Sequence, residues 1–166
     1  MKRGLVISDA GPIISLAIID RLEILNNLFE EVFIPKAVWE EVSRDQTLVY
    51  YDRIAEFFEP RVKEISGFNE LTFVMDYGES ESVILYKEMH ATYLLIDDKK
   101  ARNIAENLGI RCIGTIGILS KAREKNLIKE LRPLFEVFVK NDRYYSMKLL
   151  NTILELHKEE IIKKGA

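Results

Sequence analysis

Residues 93–119 read "YLLIDDKKARNIAENLGIRCIGTIGIL". A short apolar run stops on two adjacent aspartates, Asp97 and Asp98. A helix-length segment then runs to Gly109, and a second apolar run, "IRCIG", follows. Gly is the usual C-terminal stop of a helix, because it alone enters the left-handed conformation without steric cost. The stretch therefore predicts strand, helix, strand. Working outward, the alternation repeats. "GLVIS" is a buried strand bounded by the turn signal Asp9-Ala10-Gly11-Pro12, and Pro12 suits the first turn of the helix "IISLAII". "RLEILNNLF" has leucines at helical spacing, "EVFIP" is a second strand closed by Pro35, and "KAVWEEVSR" is a helix. Residues 47–59 read as a helix, "RVKEI" as a brief strand, and the helix "ESESVILYKEMHA" is expected to begin at Glu79. The region around "GFNELTFVMDYGES" carries no assignable pattern, and everything after Thr115 reads as helical. Strands separated by helices of about ten residues predict an α/β fold, a parallel sheet flanked by helices, with a helical C-terminus.

At 166 residues, with no linker, repeat or change of composition, the chain is expected to form one domain, 1–166. Hydrophobic residues at 48% and charged residues at 31% exclude a disordered or fibrous chain. A net charge of -3 supplies no general attraction for a polyanion, so nucleic-acid binding requires local basic groups or metal ions. The single Cys112, inside an apolar run, excludes an internal disulfide and suits a reducing interior. The first apolar run is too short for a signal sequence or a membrane span, so a cytoplasmic protein with no membrane partner is expected.

In an open parallel sheet, the loops after the carboxyl ends of the strands surround a ligand crevice. Asp9 ends the first strand, and Asp97 and Asp98 end the "TYLLI" strand, so all three point to one edge. Glu79 and Glu81 start the preceding helix, and Glu40 and Glu41 lie on the helix after "EVFIP". Each has a structural alternative: Asp9 and Asp98 as helix N-caps, the glutamates as partners of helix dipoles or as a solvated face. Their coincidence points instead to a cation, since clustered carboxylates repel unless neutralised. Oxygen donors select hard ions, Mg²⁺ or Mn²⁺, and His90 and His157 lack a zinc-ligand spacing. A dinucleotide site lacks its Gly-x-Gly-x-x-Gly loop, and aspartyl-phosphate chemistry of the haloacid type lacks Asp-x-Asp after the first strand.

"VISDAGPIISLA", "IPKAVWEEV", "DYGESESVILYKEM" and "LLIDDKKARNIAENLGIRCIGTIGIL" together resemble the PIN-domain nucleases, and among them small prokaryotic proteins close to the VapC-type toxins. "RYYSMKLLNTILEL" is similar to the closing helix of that subgroup. The resemblance covers most of the chain. It implies a Rossmann-like PIN fold and Mg²⁺- or Mn²⁺-dependent endonucleolytic hydrolysis of phosphodiester bonds in RNA. It also implies a homodimer and a small antitoxin protein as partner, the chain being the toxin of the pair. Residue by residue, it makes Asp9, Glu41, Glu81 and Asp98 catalytic, with Asp9, Glu81 and Asp98 on the metal. Glu40 and Glu79 are alternatives to their neighbours, Asp97 is secondary, and Thr115 either contacts a metal-bound water or caps the next helix. The sequence departs from the toxin pattern at Lys100, where those proteins place a further Asp or Asn. A PIN-like binding or regulatory module without turnover is the alternative that this departure opens. Rim residues Lys36, Arg44, Lys99, Lys100 and Arg102 are candidates to hold phosphates. The C-terminal segment is expected to bury Tyr144, Met147, Leu150 and Leu154 as one face.

Overall fold

The computed structural model describes residues 2–163. The chain divides into two compact units that part between Thr115 and Ile116. Among the described residues, the first unit contains five strands: β1 (Leu5–Ser8), β2 (Glu31–Pro35), β3 (Val62–Lys63), β4 (Tyr93–Leu95) and β5 (Cys112–Ile113). Every strand pair is parallel, in the order β3-β2-β1-β4-β5. Consecutive buried residues in β1, Val6, Ile7 and Ser8, mean that both faces of the sheet are covered. The covering helices are α1 (Ala10–Ile18), α2 (Glu23–Leu28), α3 (Lys36–Val42), α4 (Tyr51–Phe58), α5 (Tyr77–Glu88) and α6 (Lys99–Asn107). The chain leaves β1 towards β2 and β3, then crosses back to β4 on the other side of β1. The carboxyl ends of β1 and β4 therefore flank a topological switch point, the place where open α/β sheets form a crevice.

Local chemistry sets the boundaries. Gly109 (φ +81°) ends α6: its N–H donates to the Glu106 carbonyl, and the Ile110 N–H donates to the Ala105 carbonyl, a Schellman closure. The helix expected over 47–59 begins only at Tyr51, because the Asp45 carboxylate accepts both the Thr47 N–H and its hydroxyl and holds the chain in a turn. Helix α5 begins at Tyr77, two residues before the expected Glu79. Asp76 caps it in a reciprocal box, its carboxylate accepting the Glu79 N–H (2.8 Å) while Glu79 accepts the Asp76 N–H (3.3 Å). The unassigned region before it holds a 3-10 turn, Glu70–Phe73.

The second unit is helical: most of α7 (Thr115–Glu124), with α8 (Arg132–Lys140) and α9 (Met147–Leu156). Glu159 accepts the Leu131 and Arg132 N–H groups at the start of α8. In α9, Leu150 and Leu154 are buried as expected and Met147 is half-buried. Tyr144 is not part of that face. Ser146 caps α9 through the Leu149 N–H, so Tyr144 precedes the helix and is 97% exposed, while Tyr145 packs on Phe138. No described helix is long and apolar enough to cross a membrane.

Candidate active site

Asp9 follows β1 directly, and its N–H donates to the Leu95 carbonyl (2.8 Å), which fixes it between β1 and β4. Asp9 is only 7% exposed. It stands at the N-cap position of α1, yet its side chain makes no capping hydrogen bond. Burial holds its carboxyl well above the usual aspartate range. The Ala10 N–H pulls it down, and the charges of Glu79, Glu41 and Asp76 push it up further. Carboxylates from the end of β1, from α3 and from the start of α5 therefore share one electrostatic neighbourhood.

Gly78 makes that approach possible. A Cβ there would lie 3.0 Å from Glu41 Oε2 and 3.7 Å from Asp9 Oδ1, with Val38 Cγ2 at 3.5 Å. A side chain at this position would press on the Glu41 carboxylate, so glycine lets Glu41 sit against the first turn of α5 and beside Asp9. Glu41 has its own carboxyl raised, by desolvation first and then by Asp76, with Arg44 acting against them. Glu79 is pushed up to about 7, by burial first, then by Asp76 and Asp98, opposed by its bond from the Asp76 N–H.

The aspartates after β4 separate, as the alternation of a strand requires. The two oxygens of Asp97 accept the Thr115 N–H and hydroxyl, both at 2.7 Å. Asp98 is exposed, and its Oδ1 accepts the Ala101 N–H (2.8 Å), capping α6. It also lines a cleft of about 390 Å³ together with Asp76, Glu79, Phe73 and Lys100. Glu81 takes a different place. One turn below Gly78, it is buried, and its carboxylate accepts the Ala37 N–H (3.1 Å) at the start of α3 and a hydrogen bond from the Tyr77 hydroxyl. Glu40 is exposed on α3. Of the residues singled out from sequence, Asp9, Glu41, Glu79 and Asp98 are brought towards one crevice, whereas Glu81, Asp97 and Thr115 bind other parts of the fold. Asp76 was missed. Its signal was present as Asp-x-x-Glu ahead of an apolar helix, the spacing of a capping box.

Among the described residues, no ion pair includes Asp9, Glu41, Asp76, Glu79, Glu81 or Asp98. Of the rim cations, Lys36 is paired with Glu64 and Arg102 with Glu106. Among the described residues, no three Asp, Glu, His or Cys side chains stand close enough to hold one metal ion between them. The donors nevertheless suit a hard divalent cation. Such an ion keeps several of its own waters and needs one or two direct carboxylates, and Asp9 and Glu41 already converge at Gly78.

A family model named DUF3368 and described as a PIN domain matches residues 5–159. No curated protein matches the chain.

Proposed function

The chain belongs to the PIN-domain family, whose members are generally nucleases, and from that premise we propose that it is a Mg²⁺- or Mn²⁺-dependent endoribonuclease. The observation that carries the reading is Asp9: buried, without a capping bond or a cationic partner, and raised in pKa by that burial first and then by three neighbouring carboxylates. Burying a charge without compensation is costly, and a bound cation removes the cost. Asp9 is assigned to hold the ion directly, with Glu79 and Asp98 reaching it through its bound waters. Glu79 takes the role that resemblance gave to Glu81, because the Glu81 carboxylate is engaged by the Ala37 N–H. A divalent ion held by these residues would supply charge neutralisation on the phosphoryl oxygens and a lowered pKa for the attacking water. Glu41, with its raised carboxyl, accepts the proton that water loses as it attacks phosphorus. The P–O3′ bond breaks, and the departing oxygen takes a proton from solvent.

The test is cleavage of an end-labelled single-stranded RNA with Mn²⁺ or with chelator. Cleavage should require the metal, and Asp9→Asn should lower the rate about 100-fold or more. Metal-independent cleavage, or full activity in Asp9→Asn, contradicts the proposal. The narrower role, toxin of a toxin–antitoxin pair acting as a homodimer, rests on the sequence resemblance. Lys100 favours a second reading, a binding module without turnover, because its cationic side chain lines the cleft where the toxins carry an acid or amide. Lys100→Asp separates the two readings: with RNA at saturation, so that any phosphate contact made by Lys100 no longer limits the rate, it should raise cleavage if Lys100 weakens metal binding, and do nothing if turnover has been lost.

A further inference from the structure

The segment from Ile65 to Tyr77 carries a surface that the acid crevice does not account for. On its inner side Ile65, Leu71 and Met75 pack into the core cluster beneath the sheet. It is tied down at one end by Glu88, which accepts the Ser66 and Gly67 N–H groups at 3.1 and 2.8 Å. Asn69 donates to Ser80 Oγ (2.9 Å), and the Val74 and Met75 N–H groups close on the Leu71 carbonyl. The strap is thus anchored, yet two of its rings are largely exposed, Phe68 at 87% and Phe73 at 90%. Exposure alone is ordinary for an isolated apolar side chain. Phe73 also lines the cleft that contains Asp76, Glu79, Asp98 and Lys100. A ring and a lysine at the mouth of a carboxylate cleft match the parts of a nucleotide: a planar base for the ring, a phosphate for the ammonium group.

We propose that Phe73 is the stacking platform that seats one base of a single-stranded RNA beside the carboxylate cleft, with Lys100 holding an adjacent phosphate. The proposal rests on the nuclease reading and adds the form of its substrate. Stacking is sequence-tolerant because every base has a π face, so this platform selects unpaired strands over duplex.

The experiment is fluorescence anisotropy with a fluorescein-labelled hexa-adenylate in Ca²⁺, together with a set of the same oligonucleotide carrying one abasic position at each step. The unmutated protein should bind the intact strand and lose affinity at one abasic position. Phe73→Ala should bind the intact strand about fivefold or more weakly, with an unchanged melting temperature, and show no further loss at that abasic position. Phe73→Trp should bind as the unmutated protein does. Equal binding by Phe73→Ala, in a protein that binds and cleaves RNA, overturns the platform and leaves the nuclease reading standing. If the unmutated protein neither binds nor cleaves single-stranded RNA, the nuclease reading falls as well.

Discussion

Asp97 and Asp98 differ by one position and by nearly everything else. Asp98 accepts a single capping hydrogen bond, which Asn supplies equally well, whereas Asn binds a hard cation poorly. Asp98→Asn is therefore expected to keep the melting temperature and lose metal-dependent cleavage. Asp97 receives two hydrogen bonds from Thr115, and Asn can accept only through its carbonyl oxygen. Asp97→Asn should lower stability by about 1–3 kcal/mol in urea denaturation. Equal cleavage by unmutated protein and Asp98→Asn would reduce that aspartate to a cap. Glu79 supplies a second prediction. Its pKa is raised on folding from the ordinary 4.5 to about 7, so the folded state holds this proton more tightly than the unfolded chain. Between those values the metal-free protein should lose stability as pH rises, and Asp9, also raised, adds in the same direction. Melting curves in chelator should therefore fall from pH 5 to pH 7.5. Glu79→Gln should flatten the fall, and Mg²⁺ should reverse it. A flat profile in the unmutated protein contradicts the coupling. At this scale the sequence exposed Asp9 and the Asp97–Asp98 pair, since each ends an apolar run. It could not choose between Glu79 and Glu81, because both lie near the start of one helix. The choice depends on where the helix starts and which face meets α3.

That start is set by Asp76 and its face by Gly78. The capping box begins α5 at Tyr77, and Gly78 then meets Glu41 and Asp9. Gly78→Ala would put a methyl group 3.0 Å from Glu41 Oε2, the movable end of a flexible side chain. The fold should survive, with a small stability gain from alanine's better helix propensity. Glu41 is displaced, and cleavage should fall several-fold with the melting temperature unchanged or higher. Loss of stability with activity retained would show that the close approach serves packing alone. Alternation of strands and helices was legible because parallel strands covered on both faces read as continuous apolar runs. The segment 67–76 was not: its inward Leu71 and Met75 have helical spacing, but the outward Phe73 and Val74 between them are equally apolar and hide the pattern.

Across the molecule, the family match over residues 5–159 spans both compact units. We propose that they unfold together as the single domain expected from length and composition, and calorimetry should then record one transition with equal calorimetric and van't Hoff enthalpies. With a net charge of -3, the proposed binding of RNA would depend on a cation in the crevice more than on general attraction. We propose that the carboxylates at the ends of β1 and β4 hold that cation, and the decisive measurement is anomalous diffraction from a crystal soaked in Mn²⁺. A peak is expected within ligand distance of Asp9, with Glu79 and Asp98 bound to it directly or through water, and with Glu81 still on the Ala37 N–H. An absent peak, or one held by Glu81 away from Asp98, would contradict it.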